Sequence, residues 1–165
     1  MKYIGLLICL VALGGCKISL NGVSIPPTMK TVNVTVFENN AQLVVASLSS
    51  QFTEELKTRI RNQTSLSITP NDPQAVFSGS ITGYNISPVA IQDNRTATAG
   101  ANRLTITVSV KYVNNVNPKL SFEKSFDKYR DFKIAGSLQT QEAGLIKDVV
   151  QQLTEDIFNA AFAQW

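Results

Sequence analysis

Residues 102–113 read NRLTITVSVKYV, and this stretch decides the fold. Apolar side chains alternate with polar ones over its length, which is the period-two pattern of a strand with one buried face. A second run, KLSFEKSFDKYRDF at 119–132, follows after the turn-forming NNVNP. The two runs predict a β-hairpin. The residues expected to face inward are Leu104, Ile106, Val108, Val110 and Tyr112 in the first run and Leu120, Phe122 and Phe126 in the second.

Three earlier segments also have strand character. KTVNVTVF at 30–37 alternates strictly, and TSLSITPNDP at 64–73 is a short strand that closes in a turn. AVFSGSITGYNISP at 75–88 is longer, and the polar stretch 89–101 that follows it is predicted to be a flexible connection. In the first segment, Val32, Val34 and Val36 are expected to share one face. In the third segment, one face is expected to carry Phe77, Gly79, Ile81 and Gly83, and the other face Val76 and Tyr84. The two glycines indicate close approach of another element, commonly a helix.

Two amphipathic helices complete the prediction. The first begins near Ser47 and stops near Asn62, and the second runs from about Ser137 to Ala163 with a broad apolar stripe. The first helix has apolar residues four apart at Leu48, Phe52, Leu56 and Ile60. This order of elements predicts an α+β fold: a single mixed or antiparallel sheet of about four strands with two helices packed on one face. The rows of Thr and Ser are expected on the opposite, open face.

The amino terminus has the layout of a secretory signal, with LGGCK at 13–17. This sequence resembles the bacterial lipobox, in which the cysteine is acylated and the signal is removed just before it. We therefore expect 1–15 to be a cleaved lipoprotein signal peptide, 16–29 a lipid anchor and tether attached through Cys16, and 30–165 a single α+β domain. Since Lys17 is not the aspartate that retains such proteins at the inner membrane, we expect the outer membrane, on its periplasmic side. The alternative is an ordinary signal peptide that contains a cysteine.

Composition excludes several classes of function. The chain has no histidine, the commonest general base and a common metal ligand. Its two cysteines are Cys9, inside the signal, and Cys16, so we expect no thiol nucleophile, zinc site or disulfide. The formal net charge of +3 provides no strong field for nucleic acid. Only 16% of residues are charged, and neutral polar residues take their place; compositional drift, or a surface held against another polar protein, would each explain this.

Catalytic motifs are not found in the sequence. SGSITG does not have the order of a nucleophile elbow, and no histidine is available to complete a triad. The neighbouring acids Glu54 and Glu55, like Glu155 and Asp156, are expected to be solvated and not split in pKa by their surroundings. A Ser–Lys dyad stays open, because it requires only that the two side chains meet in space. We predict that the protein is not an enzyme and needs no cofactor or metal.

Seven basic residues could form an anion-binding patch or could simply be scattered over the surface. Arg95 is the leading candidate because it lies in a loop near a strand end, where binding groups concentrate. The seven are Arg59, Arg61, Arg95, Arg103, Lys128, Arg130 and Lys133.

Three segments together resemble the lipopolysaccharide-assembly lipoprotein (LptE) family: GVSIPPTMKTVNVTVFENNA at 22–41, NRLTITVSVKYVNN at 102–115 and LTEDIFNAAFA at 153–163. The resemblance covers nearly the whole chain after the lipobox. It implies an outer-membrane lipoprotein that plugs and helps to assemble a large β-barrel translocon (LptD-like) and binds lipopolysaccharide. It also implies contacts to lipid A phosphates around one end of the domain, for which Arg95, Arg103 and Lys133 are the candidates.

Two other classes of function remain open. One is a periplasmic adaptor or auxiliary lipoprotein of another envelope transport complex. The other is an enzyme that uses paired carboxylates or a Ser–Lys dyad. Co-purification of a large barrel protein would distinguish the translocon component from both.

Overall fold

A mixed sheet with two helices on one face makes up the protein, whose computed structural model describes residues 25–91, 98–134 and 136–163. Within these ranges the sheet has six strands. The strands are β1 (Thr31–Val34), β2 (Glu38–Asn39), β3 (Ser67–Ile68), β4 (Ala75–Ile91), β5 (Thr98–Asn114) and β6 (Phe122–Lys133); the helices are α1 (Leu48–Gln63) and α2 (Leu138–Phe162), and a 3-10 turn (Pro118–Leu120) precedes β6.

The strand order across the sheet is β3-β1-β4-β5-β6, with β2 also beside β4. β1 pairs in parallel with β3 and β4, and β2 pairs in parallel with β4, whereas β4, β5 and β6 are antiparallel. The predicted α+β class, the mixed sheet and the two helices are confirmed. The predicted number of about four strands is too low. β3 lies within the short strand predicted at 64–73, whereas β2 was not predicted, because two residues are too few to show an alternating pattern.

The predicted hairpin is the β5–β6 pair, and its register runs from Ala101 opposite Lys133 to Tyr112 opposite Phe122. All five inward positions of β5 are buried beneath the helices, and Phe122 and Phe126 of β6 pack against the same core. Leu120 belongs to the 3-10 turn and not to the strand. Period-two alternation therefore assigns the buried face of the hairpin correctly.

Both helices bury the stripes that the sequence indicates. α1 buries Leu48, Phe52, Leu56 and Ile60, all four of its predicted positions. α2 lies over β5 and β6 with a longer stripe, and rings from its last turns contact rings from the sheet: Phe162 lies 5.8 Å from Phe77 and 5.9 Å from Tyr112 between ring centroids. Aromatic contacts of this kind add to the stabilisation from burial alone. The buried residues of α2 are Ile146, Val149, Val150, Leu153, Thr154, Ile157, Phe158, Ala161 and Phe162.

A β-bulge in β4 corrects one predicted face. Ile81 lies opposite Val108, but Gly83 lies opposite Thr107, so one extra residue is inserted between them. Beyond the bulge every side chain changes face relative to simple alternation. Tyr84 is therefore buried on the helix side with Phe77, whereas the sequence placed them on opposite faces, and Gly83 lies on the open face beside Thr107.

The buried Tyr84 side chain reaches the start of α2 and forms a hydrogen bond there. Its hydroxyl donates a hydrogen bond of 2.5 Å to Oε1 of Glu142 in the second turn of the helix. Burial, together with this carboxylate, raises the pKa of the Tyr84 phenol. The phenol therefore stays protonated and remains a donor throughout the physiological pH range.

The predicted close approach at Gly79 is real, but its neighbour is not a helix. The Gly79 φ is +155°, and a Cβ atom there would lie 2.8 Å from the Phe37 ring and 2.0 Å from the carbonyl oxygen of Ser109. Phe37 reaches this position because β1 ends at Val34 and the chain then turns. Val36, predicted to share the buried face, is consequently 64% exposed.

The hairpin between β4 and β5 is longer than the sequence indicates. β4 continues to Ile91 and β5 begins at Thr98, so much of the predicted loop at 89–101 is strand. The connection at 92–97 lies outside the described residues. Because β4 and β5 are this long, they extend together with β6 beyond β1 and β2.

Gly79→Ala is expected to lower the free energy of unfolding by more than about 3 kcal/mol, because the added methyl group meets a backbone atom that cannot move aside. Chemical denaturation with circular dichroism measures the change. Gly144→Ala in α2 is the matched control: no atom lies within 4 Å of its added Cβ. Because alanine is favoured over glycine within a helix, Gly144→Ala should raise the free energy of unfolding by about 0.5–1 kcal/mol. Equal effects of the two substitutions would contradict this assignment.

Candidate functional site

The open face of the sheet is a row of short polar side chains. Odd-numbered residues of β5 face away from the helices, and across the middle of the strand these are Thr105, Thr107 and Ser109. Ser80 of β4 and Ser125 of β6 lie on either side of Ser109. In the middle of β4 and β5 this face carries no charged side chain. The prediction of an open face with Thr and Ser rows agrees with this arrangement.

The end of the open face nearest the β4–β5 connection is different, because charged and aromatic groups meet there. Arg103 of β5 donates two hydrogen bonds to Asp131 of β6, from Nε at 2.7 Å and from Nη2 at 2.9 Å. Its guanidinium carbon also lies 3.7 Å from the centroid of the Tyr129 ring. The Arg103 and Asp131 side chains are 35% and 39% exposed. Guanidinium groups bind carboxylates and phosphates in the same two-pronged geometry, and here the carboxylate of Asp131 occupies it.

Electrostatics at this pair follow from its geometry. The hydrogen bonds from Arg103 lower the pKa of the Asp131 carboxyl, and Asp131 in turn raises the pKa of the guanidinium. Both groups are charged at neutral pH. Because the pair is partly exposed, its Coulomb energy is screened by solvent.

Lys133 lies at the same end and on the same face. It pairs with Ala101, two residues before Arg103 along β5, and its side chain is exposed. Among the described residues Lys133 makes no ion pair. Two of the three predicted lipid A contacts, Arg103 and Lys133, are therefore neighbours. The third, Arg95, lies outside the described residues, as does the predicted acylation site Cys16.

The other predicted basic residues do not join this group. Lys128 and Arg130 of β6 are on the helix side, where they lie 2.7 Å from Asp156 and 3.7 Å from Asp148 of α2. Arg59 of α1 also reaches α2, donating hydrogen bonds to Oγ1 of Thr154 and to the carbonyl oxygen of Gln151, and Arg61 is exposed in the last turn of α1. The six of these residues that the structure describes are therefore dispersed, and among those six only Arg103 and Lys133 lie together at the end of the open face.

The carboxylate pairs are placed as predicted. Glu54 and Glu155 are exposed, and Glu55 and Asp156 are only partly buried. In the part of the chain that the structure describes, no serine hydroxyl bonds a lysine ammonium, and no group of acids is arranged to hold a metal ion.

Tyr129 is the residue of this site that sequence reasoning missed. It is 49% exposed on the open face, and Arg103 lies over its ring. The register of the β5–β6 hairpin is the signal that could have identified Tyr129. In this register Tyr129 lies opposite Thr105, which is the next residue after Arg103 on the same face of β5. An alternating pattern alone does not fix that register.

Arg103→Gln is expected to raise the pKa of Asp131 towards its ordinary value of 3.8, because the charged hydrogen-bond donor is removed. NMR titration of the carboxyl carbon measures it, and Arg130→Gln, on the opposite face, should leave it unchanged. Because the folded pKa lies below the unfolded one, the pair stabilises the protein above about pH 4 and loses this effect as pH falls through the folded pKa. An unchanged Asp131 pKa in Arg103→Gln would contradict the contact.

Neither of the described helices has the length and hydropathy of a membrane span. In sequence, no curated protein matches the chain. Solved structures with the same fold include an uncharacterized lipoprotein B from Nitrosomonas europaea (14% identity, TM-score 0.53, 87% of this chain and 88% of that one). A minor lipoprotein from Acinetobacter baumannii is also similar (14% identity, TM-score 0.50, 79% and 90%). A hypothetical protein from Chlamydia trachomatis is the third (14% identity, TM-score 0.54, 78% and 93%).

At these identities the structural likeness establishes the fold. The sequence itself matches a family model for lipopolysaccharide assembly (LptE) over residues 29–161, which includes α1, all six strands of the described sheet and all of α2 except Phe162. This family consists of envelope lipoproteins that are not enzymes. The expected resemblance is thus confirmed, and the chain belongs to the LptE lipopolysaccharide-assembly family.

Proposed function

We propose that this protein is an outer-membrane lipoprotein that plugs and helps to assemble the β-barrel of a lipopolysaccharide translocon. Membership of the lipopolysaccharide-assembly family supports the process, and the observation that carries the finer proposal is the open face of β4 and β5. Its central side chains are short, hydroxyl-bearing and uncharged. Large outer-membrane barrels enclose polar lumens, so a domain seated in one needs a polar surface that is inexpensive to desolvate.

Uncharged hydroxyls suit such an interface for an energetic reason. Removing an unpaired charge from water costs several kcal/mol, whereas a hydroxyl can both donate to and accept from a polar wall. The covered face of the same sheet is filled by α1 and α2, so the open face is the large sheet surface left for a partner. We place the contact with the barrel wall there.

The lipid anchor belongs to the same proposal. Acylation at Cys16 after removal of 1–15 would hold the domain 30–165 at the periplasmic side of the outer membrane, with 16–29 as the tether. Two or more acyl chains are needed for stable anchoring. Palmitate among these chains would agree with the lipobox at 13–17.

Lipopolysaccharide is the proposed ligand of the end of the open face that carries Arg103 and Lys133. Lipid A carries phosphates, and the Arg103 guanidinium already holds a carboxylate in two-pronged geometry. A phosphate would compete with Asp131 for that guanidinium, while Lys133 offers an exposed ammonium beside it. Arg95 is proposed to add a third cation, since the connection 92–97 joins the two strands at this end.

The decisive experiment is purification of the chain from outer membranes in detergent through a carboxy-terminal tag. We expect a large β-barrel protein to co-purify, and depletion of the chain to leave lipopolysaccharide accumulating inside the envelope. Recovery of a transporter without a barrel would instead favour an auxiliary lipoprotein of another envelope machine. Recovery of no barrel from a folded, tagged chain would contradict the proposal.

Thr107→Glu on the open face is expected to lower the amount of co-purified barrel at least ten-fold, because it adds an unpaired carboxylate to the contact. Asp127 lies opposite this position, so the new charge meets another negative group there. Thr58→Glu on the exposed side of α1 is the matched control and should leave the amount unchanged. Thermal unfolding checks that both variants fold. Equal recovery with the two variants would show that the open face does not contact the barrel.

Lys133→Ala is expected to weaken lipopolysaccharide binding by about five- to ten-fold, which corresponds to about 1 kcal/mol for one exposed charged contact. Fluorescence titration with labelled lipopolysaccharide measures the change. Lys111→Ala is the control, since Lys111 is exposed at the other end of the same face. Equal effects of both substitutions would indicate attraction by net charge and not a site.

A further inference from the structure

Besides the outer sides of the two-residue strands β2 and β3, the sheet has two longer edge stretches, and they differ in charge. β6 is the edge strand on one side, and seven of its twelve residues are charged. On the other side, β1 and β2 cover β4 only as far as Ile81, so β4 is an edge from Gly83 to Ile91 among the described residues. This stretch, GYNISPVAI, contains no charged residue. The charged residues of β6 are Glu123, Lys124, Asp127, Lys128, Arg130, Asp131 and Lys133.

Charged side chains on an edge strand are a known protection against pairing with another strand. β6 has this protection. The β4 edge carries no charge, and its protections are instead the bulge before Gly83 and the proline at 88. The stretch between them, with Tyr84 and Ile86, is the part of this edge that neither charge nor proline protects.

The register shows which backbone groups point outward along β4. Before the bulge, the carbonyls of Phe77 and Ile81 accept hydrogen bonds of 2.9 Å from Thr35 and Asn40. The backbone N–H and C=O groups of odd-numbered residues therefore point towards β1 and β2. The extra residue in the bulge reverses this parity. Beyond Gly83 the even-numbered residues, Tyr84, Ile86 and Pro88, have outward backbone groups.

Pro88 gives an independent check of this parity. A proline within a strand is tolerated where its nitrogen faces away from the ladder, because it has no N–H to donate. The nitrogen of Pro88 points outward, away from β5, so this requirement is met. The N–H groups of Tyr84 and Ile86 point the same way, and neither has a hydrogen-bond partner on that side among the described residues.

A groove runs along the start of this edge. It has a volume of about 700 Å³ and lies between residues 42–43 and residues 82–85 of β4. Leu43 lines it and is 61% exposed, and the neighbouring Val44 is also exposed. The groove begins where β2 ends, so an extended peptide lying in it would continue the line of β2 along the β4 edge.

We propose that the outer edge of β4 from Gly83 is a strand-addition site for an extended, uncharged segment of a β-barrel partner. Strand addition obtains affinity from backbone hydrogen bonds and specificity from alternate side chains. Along this edge Ile86 and Tyr84 lie on the apolar side, and Asn85 and Ser87 on the polar side. A barrel strand has the same alternation, apolar on one face and polar on the other.

The identity of the occupant, though not the existence of the edge, rests on the proposed function. During assembly of a barrel, unpaired strands of the precursor are available for such pairing. The uncharged edge and the exposed Leu43 favour a strand that is itself poor in charge, since a charged strand would lose hydration without gaining an opposite charge.

Ile86→Pro tests the proposal, because it removes the outward N–H and leaves the hydrogen bonds to β5 in place. The probe is a ten-residue peptide of alternating valine and threonine, titrated against the detergent-solubilised full chain. We expect wild type to bind with slowed amide exchange at Tyr84 and Ile86, and Ile86→Pro to bind at least ten-fold more weakly. Ile86→Val, which keeps the N–H, should bind within two-fold of wild type.

Leu43→Gln is a second variant that leaves the sheet untouched, and we expect it to weaken binding about three-fold or more. The same peptide with N-methyl groups at alternate residues should not bind. Equal binding of the N-methylated peptide, or unchanged binding by Ile86→Pro, would overturn strand addition. A dimer seen by sedimentation that Ile86→Pro abolishes would replace the barrel strand by a second copy of this chain and overturn the proposed occupant.

Co-purification separates this proposal from the proposed function. If wild type recovers the barrel and Ile86→Pro recovers much less, both are supported. If the two recover equal amounts, the barrel does not use this edge, and only the strand-addition proposal is overturned. If wild type recovers no barrel but binds the peptide, the strand-addition site stands and its assigned occupant, together with the proposed function, is wrong.

Discussion

Backbone hydrogen bonds between β4 and β5 run from Ala75 opposite Asn114 to Ile91 opposite Thr98, and the other elements are positioned by this ladder. β1 and β2 pair with one side of β4, and β6 pairs with the far side of β5. Because side chains alternate along the two strands, their pairing divides the sheet into an apolar face and a hydroxyl-bearing face. The helices cover the first, and the second remains for a partner.

The chain has few charged residues, and they are unevenly distributed. This distribution bears on the two explanations for their low number, which are compositional drift and a surface held against another polar protein. The chain has 15 basic and 12 acidic residues, and seven of these 27 lie in the twelve residues of β6. The middle of the open face on β4 and β5 and the β4 edge carry none. Four charged residues of β6, Glu123, Asp127, Asp131 and Lys133, border this uncharged area on the open face. An uncharged patch bordered by charge favours the second explanation, a surface held against another polar protein.

The sequence predicts those features that depend on long, regular patterns. The alternation from Leu104 to Tyr112 identifies β5 and its buried face, and the stripes of α1 and α2 identify both helices to within a residue or two. What it does not predict depends on a single inserted residue or on register. The bulge before Gly83 reverses the face of Tyr84. A glycine within a strand marks either a bulge or a close approach of another element, and the alternating pattern does not distinguish the two. Likewise, the Arg103–Asp131–Tyr129 group exists only in one register of the hairpin.

The charge on β6 has a further consequence for how large an assembly can become. A sheet that could accept a strand at both sides would act as a two-valent unit, and such units polymerise into open-ended fibres. Here the charged β6 edge disfavours pairing with a further strand, so the unit is monovalent: association of one chain at the β4 edge ends growth. At the high local density that the proposed membrane anchor would create, this termination guards against fibre formation.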